Sequence, residues 1–181
     1  MKTSPCFATD TNLASLLHRK TKQHAPALRI IPEEVFREDI EKKRIIILSG
    51  KKNGDILAAL RCIDRGKDTL EVGSVWSETR GGAGKLFDFL LSQDFIASRQ
   101  LALITQQTNN AMCRLARKNG FYLFSPLSAF FSSGLRQCLY KDIGGNPPVP
   151  DHDRVLFVRP VSPKAYSTDS ASVFSTLPNS A

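Results

Sequence analysis

The run Val75-Trp76-Ser77-Glu78-Thr79-Arg80-Gly81-Gly82-Ala83-Gly84-Lys85-Leu86-Phe87 decides the fold, because it passes from strand through loop to helix. A β-branched segment ends near Val75-Trp76, and three glycines follow at 81, 82 and 84. Phe87, Leu90 and Leu91 then recur with helical spacing, with Phe95 expected to extend the same face. Glycines between a strand and a helix let the chain turn tightly and let a ligand approach the backbone. The N–H groups exposed there, at the positive end of a helix, attract an anion. The Arg80–Gly84 loop therefore reads as a phosphate cradle, although glycine-rich turns also serve as plain connectors. A negative charge at Gly82 is expected to abolish such binding. Two phosphate loops are excluded by eye. A Walker A loop needs Gly at 79 and Ser or Thr at 86, where this chain has Thr79 and Leu86. A dinucleotide loop needs G-x-G-x-x-G after a βαβ opening, and this chain offers G-G-A-G.

Upstream, the pattern is a meander. Arg44 to Ser49 is strand-like by β-branching, Asn53-Gly54 is a strong hairpin turn, and Ile56 to Ile63 returns. Gly66-Lys67-Asp68 turns again into Thr69 to Trp76. Two helices precede it: Thr11 to Leu17 places Leu13, Leu16 and Leu17 on one face behind capping residues, and Pro32-Glu33-Glu34 is a favourable helix start. Downstream, Leu101 to Thr105 is a strand. Asn109 opens a helix carrying Met112, Leu115 and Ala116, which stops at Asn119-Gly120. Phe121 to Phe124 and Leu135 to Asp142 complete the strands. The fold class is α/β, with helices interleaved around a mixed sheet.

Composition bounds the rest. The chain has 181 residues, which fits one domain plus an extension. Lys and Arg exceed Asp and Glu by 25 to 17, so a polyanionic ligand or partner is favoured. There is no long apolar run and no secretory h-region, so no membrane span or export signal is expected, and the setting is cytoplasmic. Cys6, Cys62, Cys113 and Cys138 are scattered, as are His18, His24 and His152, so neither a disulfide framework nor a metal site is expected. Six of the ten prolines lie after Gly144, among many serines and threonines. The body is accordingly placed at 1–144, with 145–181 a largely flexible extension. One island, Val155-Leu156-Phe157-Val158 between Arg154 and Arg159, could add an edge strand or dock on a partner. The plainer expectation is a tail segment that docks transiently.

The loop, taken with Asn109-Asn110-Ala111-Met112-Cys113-Arg114-Leu115-Ala116-Arg117-Lys118-Asn119-Gly120-Phe121 about 25 residues later, resembles the GNAT superfamily of N-acetyltransferases. The first block looks like that family's V-x-x-E-x-R-G-x-G-x-G stretch, and the second like its N-x-x-A-x-x-L-Y-x-K-x-G-F helix. Asn109, Leu115, Lys118, Gly120 and Phe121 match the second pattern. The resemblance covers roughly 5–142. It implies an acyl-CoA N-acyltransferase fold with splayed central strands and acetyl-CoA as cosubstrate, its pantetheine arm lying between the strands. By the same resemblance, Val75 would bond that arm, and the N–H groups of Arg80, Gly81, Gly82, Ala83, Gly84 and Lys85 would hold the pyrophosphate. Thr79, Trp76 and Asn109, in the same two blocks, are also expected to bind the cofactor, and Lys85, Arg114 and Arg117 are candidate charge partners for CoA phosphates. Two departures stand out. With Gly82 and Gly84 in the family's glycine positions, Thr79 replaces an Arg or Gln, and Ala116 stands where the family usually has a tyrosine that protonates the thiolate.

The function expected from the resemblance is direct acetyl transfer to a primary amine. That chemistry needs a neutral amine, a polarised carbonyl and an acid for the leaving thiolate. Glu78 and Glu71 are the candidate bases, and Tyr122 or Tyr140 the candidate acids. Trp76 either lines an acceptor pocket or covers the sheet, and Cys113 reads as a small buried hydrophobe. The acceptor could be a small-molecule amine, a peptide amine or an aminoacyl-tRNA, with no membrane partner and a homodimer as an open option. Two rivals stay in view: a catalytically silent CoA-binding module, favoured by Ala116, and a basic nucleic-acid-binding protein, whose binding would fall steeply with salt.

Overall fold

In a computed structural model, residues 4–25, 28, 30–50, 55–66, 68–126 and 154–161 are described. The elements run β1 (Pro5–Phe7), α1 (Leu13–Gln23), α2 (Glu33–Glu41), β2 (Ile45–Ser49), β3 (Ile56–Asp64), β4 (Thr69–Ser77), α3 (Gly82–Leu91), α4 (Asp94–Ala97), β5 (Gln100–Gln106), α5 (Asn110–Lys118), β6 (Tyr122–Pro126) and β7 (Arg154–Arg159). The seven strands form one sheet in the order β1-β2-β3-β4-β5-β7-β6. Only β4 and β5 run parallel; every other neighbouring pair is antiparallel.

Strand alternation divides the apolar residues between two layers. On one face, α1 and α2 cover Ile45, Ile47, Ala59 and Trp76 with Leu17, Phe36 and Ile40. On the other, α3 and α5 cover Ile46, Leu60, Val72 and Leu103 with Leu86, Phe87, Leu90, Cys113 and Ala116. Phe87 is fully buried and Asp88 exposed, as the helical spacing of Phe87, Leu90 and Leu91 predicts. Asp39 ties α2 to the sheet through Arg61 Nε at 2.5 Å, with Arg44 Nη1 at 3.8 Å. Burial pushes the Cys62 thiol up to about 12, so it is a protonated packing group. Among the described residues no helix is long and apolar enough to cross a membrane, and no cluster of metal-ligating side chains occurs.

Three expectations need correction. The island at 155–158 is no transiently docked tail and no edge strand. It lies inside the sheet as β7, paired on one side with β5 and on the other with β6. Its four apolar residues are all buried, which supplies the driving force that the surrounding composition lacks. The sheet-forming chain therefore reaches Arg159, past the boundary expected at 144. Phe95 does not extend α3, which ends at Leu91; it sits on the short α4, 45% exposed and beside Phe7. The expected turn at Asn53-Gly54 and the expected strand at 135–142, with Cys138 and Tyr140, lie outside the described residues.

Candidate active site

The site begins where two parallel strands part. β4 and β5 pair from Thr69–Gln100 to Val72–Leu103 and no further. Beyond that point Gly73, Ser74 and Val75 face Ile104, Thr105 and Gln106 across a cleft, which Leu28, Asn109 and Met112 also line. A bulge in β4 drives the separation. Ala59 pairs with Trp76 and Arg61 with Gly73, so Ser74 and Val75 together oppose Leu60 alone. Ser74 takes a left-handed φ of 50°, unusual for a residue with a side chain. The bulge also resets the alternation, turning Val75 toward the α3/α5 layer and Trp76 toward the α1/α2 layer.

The glycine loop stands at the same end of β4. Ser77 Oγ donates to the Thr79 carbonyl at 2.7 Å and accepts from Thr79 N–H at 3.2 Å, which folds the chain back. Gly82 N–H bonds the Thr79 carbonyl at 3.1 Å, and Gly81 turns the chain at a φ of 78°. Only glycine adopts that conformation without strain. No side chain caps α3. Among the described residues, the N–H groups of Arg80, Gly81, Ala83 and Gly84 take no acceptor. These donors, at the positive end of a ten-residue helix and flanked by the exposed Arg80 and Lys85, fit a pyrophosphate. A β-carbon on Gly84 would meet nothing within 4 Å, so the cradle is open on that side. At Gly82 a β-carbon would collide with Ser77 Oγ and stand 2.8 Å from Thr79 Oγ1. Gly82 is therefore required by packing, and a substitution there would disturb the fold before it tested an anion site.

The other sequence candidates are distributed unevenly. Asn109 caps α5, its side chain accepting from Met112 N–H at 3.1 Å, and it lines the cleft. Arg114 is exposed on α5, and Arg117 covers the Phe157 ring at 5.7 Å. Trp76 is buried under α1, stacked on His24 at 5.4 Å, so it covers the sheet and does not join the loop or the cleft lining. Glu78 is ion-paired with Lys20, whose Nζ also lies 5.9 Å from the centroid of the Trp76 ring. Glu71 holds Arg65, whose Nε and Nη2 lie 2.8 and 2.7 Å from Oε2. Tyr122 is half exposed on β6 and does not line the cleft. The inserted β7 moves it two strand positions from β5, roughly 10 Å at the usual spacing. Ala116 is fully buried and brings no hydroxyl. The sequence did not single out Leu28, Gly73, Ser74 or Thr105, because a parting strand pair leaves no motif.

No protein-family model and no curated protein sequence matches the chain. Solved structures do. An acetyltransferase of the GNAT family from Bacillus cereus aligns at a TM-score of 0.59 and 16% identity, over 87% of this chain and 96% of that one. The diaminobutyrate acetyltransferase of Paenibacillus lautus, solved with L-2,4-diaminobutyric acid and coenzyme A, gives 0.60 and 14%, over 87% and 95%. The ribosomal-protein-S18-alanine N-acetyltransferase of Escherichia coli gives 0.60 and 14%, over 96% and 99%. The chain has the GNAT acetyltransferase fold.

Proposed function

We propose that the protein is an acetyl-CoA-dependent N-acetyltransferase that moves an acetyl group directly to a primary amine. One observation carries the reading: a parallel strand pair that opens after Val72–Leu103 meets, at its open end, a helix N-terminus where the N–H groups of Arg80, Gly81, Ala83 and Gly84 are unbonded among the described residues, those of Gly82 and Lys85 being held by the Thr79 and Gly81 carbonyls. Bound there, acetyl-CoA supplies a thioester whose acetyl carbon bonds the amine nitrogen as the C–S bond breaks, releasing CoA as the thiol. The N–H groups of Arg80, Gly81, Ala83 and Gly84 hold the pyrophosphate, aided by the charges of Arg80 and Lys85. Val75 offers its backbone to the pantetheine arm between the strands. Glu71 accepts one proton from the ammonium form of the amine, directly or through water, and the second nitrogen proton neutralises the thiolate. Glu78 is committed to Lys20 and serves to fix the loop. The acceptors in two of the similar structures, an alanine of a ribosomal protein and diaminobutyric acid, both present amino groups, which supports this class without selecting a member.

The test is calorimetric titration with acetyl-CoA, against CoA and ATP as comparisons. Micromolar binding of acetyl-CoA and none of ATP is expected, and the Gly84→Asp variant should bind at least about tenfold more weakly with an unchanged Tm. Absence of acetyl-CoA binding would overturn the proposal. Ala116 favours a second reading, CoA binding without turnover. Thiol release from a panel of amines separates the two.

A further inference from the structure

Gly73 has no structural reason to be glycine. Its φ is not left-handed, and a β-carbon would stand 3.4 Å from Ile63 Cδ1 and 3.5 Å from Glu71 Oε1, both ordinary contacts. Glycine inside a strand is otherwise disfavoured, because it loses the most backbone freedom on folding. Its position is the informative part. Gly73 is the first β4 residue beyond the last pair with β5, and it lines the apex of the cleft. Glu71 projects on the same face of β4, one alternation earlier, its side chain 13% exposed. Arg65 grips Oε2 with two N–H groups. Oε1 is the oxygen turned toward Gly73.

We infer that the missing side chain at Gly73 is a window through which Glu71 Oε1 meets the ammonium group of the acceptor at the apex of the cleft. This rests on the acetyltransferase reading above. Arg65 is a positioning residue that fixes which oxygen faces the window. A β-carbon at 73 fits the fold but stands against the carboxylate.

Gly73→Ala and Gly73→Val, with Glu71→Gln as reference, separate access from stability. Four measurements apply: Tm, the acetyl-CoA Kd, labelling of Glu71 by a water-soluble carbodiimide with glycine ethyl ester, and thiol release with methylamine, spermidine and peptides beginning Ala or Ser. Gly73→Ala should raise Tm by about 1–3 °C, since alanine narrows the unfolded ensemble. Both variants should keep the acetyl-CoA Kd within about twofold while losing Glu71 labelling. Turnover should fall about tenfold for Gly73→Ala and approach the roughly 10²–10⁴-fold loss of Glu71→Gln for Gly73→Val. A drop in Tm for Gly73→Ala would give the glycine a structural role and overturn the inference. Unchanged labelling and turnover in Gly73→Val would overturn it alone. A wild-type protein that binds no acetyl-CoA would overturn the transferase reading, and the inference with it.

Discussion

β5 treats its two neighbours differently. Toward β4 it is paired over four residues and then parts; toward β7 it is paired over six, from Leu101–Arg159 to Gln106–Arg154. The open side exposes N–H and C=O groups that a folded interior does not leave unpaired, so they call for a partner with its own donors and acceptors. The amide-bearing arm of the acetyl-CoA proposed above would be such a partner. The closed side holds β5 rigid while its other edge stays free. A strand pair can open only because the next pair along does not.

The largest test of this contrast is to remove the closed side. Ending the chain after Asp153 deletes β7, whose Leu156 and Phe157 are almost wholly inaccessible. Each such side chain contributes about 1.5–3 kcal/mol by burial. Four apolar residues of β7 therefore match much of a typical total of about 5–15 kcal/mol. Cooperative melting followed by circular dichroism should disappear. A truncated protein that melts like the full chain would show that β7 is dispensable.

A smaller effect is expected at the rim of the cleft. Asn109→Ala removes the cap of α5, which should cost about 1 kcal/mol and lower Tm by roughly 2–4 °C. An unchanged Tm would mean the cap is idle. The smallest effect has the opposite sign. Ser74→Gly relieves a left-handed side chain costing about 1–2 kcal/mol, set against about 0.5–1 kcal/mol of added chain entropy. Tm should rise by about 1–2 °C. A fall would show that the bulge stores no strain there.

The comparison also sorts what could be read from the sequence. The loop from Ser77 to Gly84 and the Asn109 cap were legible because each is written in consecutive residues whose conformational preferences dictate the turn. The meander was legible through β-branching and the turn residues between its strands. β7 was not, because its four apolar residues follow a proline-rich stretch and acquire meaning only between two strands far away in sequence. Trp76 was ambiguous for a related reason: a bulge two residues earlier decides its face, and nothing about Ser74 as a residue announces a bulge. Glu71 was visible as an acid, but its hold on Arg65 and its place beside Gly73 are matters of tertiary register.

The strand order has a consequence for synthesis. β5 is finished at Gln106, yet the strand that covers its outer edge ends at Arg159. At about 5–20 residues per second the ribosome needs roughly 3–10 s to make the intervening chain. During that interval a nascent β5 shows a bare edge that any passing strand can extend, and β6 emerges with its sheet partner still unmade. The protein is most prone to aggregate before β7 has left the exit tunnel, and pausing translation between Pro126 and Arg154 would lengthen that exposure.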